Sequence, residues 1–148
     1  MRTRLMGLCL LLPAPTWATV NARLAGTYLG PGIHIGSGLD AQTGVLLGAE
    51  VSLALLTEDH TWLGLYVDAL SVGGTDSARL GAGLEAGYFL GGVDGGLIYD
   101  AATASYGARG RLLFSLAMES VYLGTAWLPE QGAHWEVGVL LKVPIRVE

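Results

Sequence analysis

The chain has 148 residues, of which 51% are hydrophobic and 14% charged, and its mean hydropathy is +0.48. This length fits one domain, and a net charge of −5 with no basic stripe excludes a typical nucleic-acid-binding surface. A membrane-spanning helix needs roughly 20 apolar residues in succession, and every apolar run after residue 20 is shorter. The 23 glycines also argue against a helical bundle, because glycine destabilises helix interiors.

The first 18 residues are predicted to be a secretory signal peptide. Arg2 and Arg4 precede the apolar run LMGLCLLL, and Ala18 is a small residue at the expected cleavage position. The only cysteine, Cys9, lies in this leader, so the mature chain is predicted to have no disulfide. Residues 19–148 are predicted to form a single β-barrel domain with six basic and 13 acidic side chains, a net charge of −7.

Eight segments alternate apolar residues with small or polar ones, at the period of two that is typical of strands. They are residues 27–38, 44–57, 62–72, 79–90, 93–102, 106–117, 120–128 and 134–147. Short turns join them, and Gly91-Gly92 matches a tight two-residue hairpin turn. The number and length of these segments predict an all-β fold, an eight-stranded antiparallel up-and-down transmembrane β-barrel.

The two faces of these strands differ sharply. One face is almost wholly aliphatic and is expected to contact membrane lipid. The other carries glycine and charges of nearly balanced sign, including Arg146. Buried charges need partners, since an unpaired one costs several kcal/mol. The predicted interior polar network consists of His34, Glu50, Asp68, Arg79, Glu85, Asp94, Asp100, Arg109, Arg111, Glu136 and Lys142. The alternative is a soluble exported barrel with the aliphatic face inside, which would expose a surface dominated by glycine.

Aromatic residues at strand ends agree with the membrane interpretation, because amphipathic rings settle at the boundary of lipid and water. Trp62 and Tyr28 are expected at one boundary. The other boundary is expected to hold Tyr99, Tyr106, Trp127 and Trp135.

The leader and the eight alternating strands resemble the small eight-stranded outer-membrane β-barrel proteins of Gram-negative bacteria, by pattern over residues 27–147. The resemblance implies an outer-membrane location and insertion by the barrel assembly machinery. The last strand is similar to the signal that this machinery reads, at Glu136, Gly138, Leu141 and Val143. It differs in that Leu141 stands where the family usually has an aromatic residue.

No sequence pattern indicates catalysis, a cofactor or a metal ion, and none of these is predicted. His34 and Ser37 are loosely similar to the histidine and serine of lipid A deacylating barrels. In a strand, however, residues three apart point to opposite faces and cannot pair. Histidines and carboxylates show no metal-ligand spacing, and the glycine doublets match no phosphate-binding loop.

The expected function follows from the size of the barrel and its short connections. Eight strands leave an interior that side chains fill, which disfavours a wide pore, and short loops disfavour a receptor or adhesin. The sequence therefore predicts a non-enzymatic outer-membrane protein with a structural or envelope-assembly role and an unspecified protein partner. The alternatives are an envelope-lipid-modifying barrel enzyme and a soluble exported β-barrel.

Overall fold

A computed structural model describes residues 25–39, 44–73, 77–116 and 119–147. The predicted leader, residues 1–18, lies outside these ranges. The strands are β1 (Gly26–Gly38), β2 (Val45–Leu56), β3 (Thr61–Val72), β4 (Ser77–Tyr88), β5 (Gly91–Asp100), β6 (Ser105–Leu116), β7 (Glu119–Leu128), β8 (Gly132–Lys142) and β9 (Ile145–Arg146). In the described part of the chain, no helix has the length and hydropathy needed to cross a membrane.

The strands form one closed antiparallel barrel. Each of β1 to β7 pairs with the next strand, and β1 also pairs with β8, so that the sheet returns to its beginning. The eight principal strands are 10 to 13 residues long. The predicted eight-stranded antiparallel up-and-down barrel is therefore confirmed as a fold.

A proline divides the last predicted strand into β8 and β9. Gly32 of β1 lies opposite Lys142 of β8, and in the same register Leu29 lies opposite Ile145 of β9. Pro144 falls between them and has no N–H to donate to the ladder. The two strands are thus one line of chain with a local interruption.

The two ends of the barrel are distinguished by their connections. The terminal end carries Ala25, Val147 and the connections after β2, β4 and β6, and the far end carries the connections after β1, β3, β5 and β7. An even number of strands brings the first and last described residues to the same end. The far-end connections contain six, four, four and three residues.

The predicted turn at Gly91-Gly92 is wrong. The turn begins at Phe89, whose φ is 53°, and both glycines belong to β5. Gly92 lies opposite Gly87 of β4, and a Cβ atom on either would overlap the indole ring of Trp62. The glycines are therefore explained by the close approach of this ring.

Side-chain burial alternates along the strands, with the apolar residues outside. The described residues include 32 exposed large hydrophobic side chains, whereas 13 polar or charged side chains are buried. This is the reverse of an ordinary soluble fold. The far end of the interior is filled by apolar side chains, namely Leu46, Leu70, Val72, Ile98 and Leu128.

Candidate functional site

The interior polar residues predicted from the sequence all lie on inward faces of the strands. Ten of the eleven are buried, and Lys142 is half-buried. They come from seven of the eight principal strands, so the closed barrel brings together residues that are far apart in the chain.

Arg111 of β6 occupies the middle of this interior. Its Nε donates to both oxygens of Asp94, the residue directly opposite on β5, at 2.9 and 2.7 Å. Its Nη2 donates to Glu50 Oε2 of β2 at 2.8 Å. The rigid, multi-donor guanidinium suits this role, because it binds two carboxylates from different directions at once.

Lys142 of β8 extends the network across the barrel. Its Nζ lies 2.8 Å from Glu50 Oε1 and 2.8 Å from Glu85 Oε2. Glu85 lies directly opposite Asp94 in the pairing of β4 with β5. Like charges in that position repel each other, and the cations of Lys142 and Arg111 offset the repulsion.

Arg109 and two tyrosines pack beside this network. Arg109 forms a buried ion pair with Asp68 of β3. The guanidinium carbons of Arg109 and Arg111 lie 5.6 and 5.0 Å from the centre of the Tyr66 ring, and that of Arg111 lies 5.4 Å from the centre of Tyr122. These cation–π contacts supply favourable neighbours for cations that are removed from water.

Arg79 gathers a second polar cluster toward the far end. Its Nε donates to Asp100 Oδ2, and its Nη1 donates to Glu136 Oε1, both at 3.2 Å. Nη1 also lies 2.9 Å from His134 Nε2, and Nη2 donates to Gln131 Oε1 at 3.0 Å. This cluster links β4, β5 and β8 to the connection that precedes β8.

His34 and Ser37 make separate hydrogen bonds. His34 Nε2 lies 2.5 Å from the Tyr122 hydroxyl, and the Ser37 hydroxyl donates to the carbonyl of Gly38 at 3.1 Å. Neither bond joins the histidine to the serine, as a nucleophile and its base require.

Three side chains of consecutive strands converge in a way that the sequence did not predict. One ring nitrogen of His34 (β1) and one carboxylate oxygen each of Glu50 (β2) and Asp68 (β3) lie within 4.8 Å of one another. These residues are far apart in the sequence, and their spacing there carries no metal-binding signal. Strand pairing brings them together, since Glu50 lies directly opposite Asp68.

The predicted interior network lacks His134, which is buried; the signal for it is its position two residues before Glu136, which predicts the same inward direction. The prediction that Trp62 lies at the lipid boundary is wrong, because its ring faces inward over the glycines of β4 and β5. The prediction that Arg146 belongs to the charged inner face is also wrong, because this residue is exposed and donates to the carbonyl of Ala25.

Exposed aromatic rings lie near both ends of the barrel. The far end carries the exposed rings of Tyr106, Trp127 and Trp135. The ring of Tyr99 is half-buried there, with its centre 5.0 Å from that of Tyr106. The terminal end carries Tyr88, Phe89 and Phe114.

Comparisons with protein-family models, curated proteins and solved structures give no match for this chain. Chemically, the charged part of the described interior consists of cations held by carboxylates. Charge-assisted hydrogen bonds of this kind are about twice as strong as neutral ones, so their direct effect is to hold opposite walls of the barrel together.

Proposed function

We propose that this protein is an outer-membrane β-barrel with a structural or envelope-assembly role, without a wide channel and without enzymatic activity. One observation carries the proposal: the large apolar side chains face outward and the ion pairs face inward. A closed barrel satisfies its backbone hydrogen bonds within the sheet, which is the requirement for crossing hydrocarbon with strands.

The extent of the apolar surface supports a lipid environment. Soluble monomers rarely expose a contiguous apolar patch larger than a few hundred Å², whereas here exposed aliphatic residues occur on the outside of all eight principal strands. The exposed aromatic rings near both ends match the two aromatic girdles of membrane barrels.

The occupied interior and the short connections support a structural role. The line of contacts from Asp94 through Arg111, Glu50 and Lys142 to Glu85 crosses the interior of the barrel. Eight-stranded barrels enclose a space just wide enough for side chains to fill. Far-end connections of three to six residues offer little surface for an external ligand.

Cell fractionation combined with gel mobility tests the proposal. The full chain is expressed in a Gram-negative host, the membranes are separated, and the detergent extract is run with and without boiling. We expect the protein in the outer-membrane fraction, with different mobilities for the folded and boiled forms. A periplasmic, freely soluble protein would refute the membrane assignment.

A lipid analysis tests the non-enzymatic part. Envelope lipids from cells with and without the protein are compared by mass spectrometry, and we expect identical lipid A profiles. A changed profile that His34→Ala or Ser37→Ala restores to normal would establish the alternative, a lipid-modifying enzyme.

A further inference from the structure

The convergence of His34, Glu50 and Asp68 is a feature of the interior that ion pairing explains only in part, because Glu50 and Asp68 contact cations whereas His34 contacts the Tyr122 hydroxyl. The three side chains are 0%, 1% and 6% exposed, respectively. They lie on adjacent strands, and the residue of β2 directly opposite His34 is Gly48, which has no side chain to separate them. The atoms that face one another are all potential metal ligands.

Two members of the trio have a buried atom that lacks a hydrogen-bond partner, namely His34 Nδ1 and Asp68 Oδ1. The third, Glu50, is paired through Oε1 with Lys142 Nζ at 2.8 Å. The arginines bind the other oxygens, since Arg111 binds Glu50 Oε2 and Arg109 binds Asp68 Oδ2. Buried polar atoms are nearly always satisfied in folded proteins, so these atoms indicate a further bound species.

The charges of the interior point to a cation. The described interior holds six carboxylates, on Glu50, Asp68, Glu85, Asp94, Asp100 and Glu136. It holds four permanent cations, on Arg79, Arg109, Arg111 and Lys142. Two negative charges are therefore left over when both interior histidines are neutral, and one divalent cation balances them.

We propose that His34, Glu50 and Asp68 bind one divalent transition-metal ion of the Zn²⁺ type, which ties β1, β2 and β3 together inside the barrel. A nitrogen with two carboxylate oxygens is a ligand set that suits zinc. In the tautomer in which His34 Nε2 donates to the Tyr122 hydroxyl, Nδ1 presents a free lone pair. A second-sphere bond of this kind orients metal-bound histidines. This inference goes beyond the proposed function, because it does not depend on where the barrel resides.

Refolding in the presence of metal tests the proposal. The untagged chain without residues 1–18 is refolded from urea into detergent with Zn²⁺, with Co²⁺ or with a chelator, and then separated from free ions by gel filtration. Elemental analysis is expected to find about one ion per folded chain, because the three ligands form a single site. The Co²⁺ form is expected to show visible absorption bands, and the metal-loaded form to melt at a higher temperature than the chelated form.

Variants separate this site from adventitious binding. His34→Gln removes the nitrogen ligand but keeps a polar side chain, and it is expected to weaken binding at least about tenfold. The matched control is His60→Asn, in the turn after β2, where φ is 70° and asparagine is well tolerated. His134→Gln, which changes the other interior histidine, is the second control, and both controls are expected to bind one ion.

Two results would overturn the proposal: a folded wild-type barrel that retains no ion, or a folded His34→Gln barrel that binds the ion as well as wild type does. Should His34→Gln fail to fold, X-ray absorption at the zinc edge of the double control His60→Asn/His134→Gln decides, because His34 is then the only histidine left. A spectrum without an imidazole ligand refutes the site. A metal-binding barrel found in the periplasm would instead refute only the membrane assignment.

Discussion

The outside and the inside of this barrel have exchanged the roles that they have in a soluble protein. On β4, Leu84 is 59% exposed on the outer face, and the next residue, Glu85, is 4% exposed on the inner face. The exposed large side chains of the outer surface are mostly aliphatic, with aromatic rings near the two ends. Each inner residue, in contrast, needs a particular partner, often from the other side of the barrel.

This difference predicts two kinds of sensitivity to substitution. Outer positions should respond to charge and to depth in the bilayer, whereas inner positions should respond to the loss of one specific contact. Both sensitivities are measured as changes in the free energy of unfolding. The barrel is unfolded by urea in lipid vesicles, and the transition is monitored by tryptophan fluorescence.

The largest effect is expected from Arg111→Met. This change leaves the buried carboxylates of Asp94 and Glu50 without their shared cation, and breaking a buried ion pair costs about 3–5 kcal/mol of unfolding free energy. The control is Arg146→Met at an exposed arginine, which should change stability by no more than about 0.5 kcal/mol. Similar losses for both variants would mean that the interior network does not stabilise the barrel.

Leu84→Arg, on the outside of the barrel, should follow. An arginine on the lipid face costs about 2–4 kcal/mol near the bilayer midplane and about 0–1 kcal/mol near an interface. Tyr88→Arg, on the same face at the end of β4, is the matched control and should have the smaller effect. In a soluble barrel the two exposed positions would tolerate arginine equally well.

Gly92→Ala tests how tightly the inside is packed. The added methyl group overlaps the ring of Trp62 and should cost about 1–3 kcal/mol, as overpacking usually does. Gly91→Ala is the control, because its Cβ would meet nothing nearer than the carbonyl oxygen of Tyr88 at 3.9 Å. Equal stability of the two variants would contradict the position of the indole.

The smallest effect is expected from Tyr122→Phe. It removes the hydroxyl that contacts His34 and should cost about 1 kcal/mol, the usual net value of one hydrogen bond. Tyr106→Phe, at an exposed tyrosine of the far end, should be neutral. If Tyr122→Phe leaves the free energy of unfolding unchanged, the contact between the Tyr122 hydroxyl and His34 does not stabilise the barrel.

Much of the architecture could be predicted because side chains along a strand alternate between the two faces of the sheet, so that each residue's position assigns it to one face. Glu50, Arg111 and Glu136 are assigned to the inside by alternation alone, and the structure places them there. The same rule applies to His134, two residues before Glu136, which the predicted network does not include although the residue is buried.

Other features depended on residues that are distant in sequence. The indole of Trp62 requires glycines on β4 and β5, so neither the ring nor the Gly91-Gly92 doublet could be interpreted locally. The turn prediction is wrong for that reason, since nothing in the local sequence shows that Gly92 lies beneath an aromatic ring and not in a tight turn.

The sequence by itself determined the strands, their number and the side of the sheet on which each residue lies, because side-chain direction in a strand is a local property of the backbone. Only the tertiary structure decided which inner residues meet. Arg111 reaches Glu50 and His34 approaches Asp68 because closure of the sheet sets strand register and barrel width. Those two quantities arise from hydrogen bonds between strands, and no short stretch of sequence contains them.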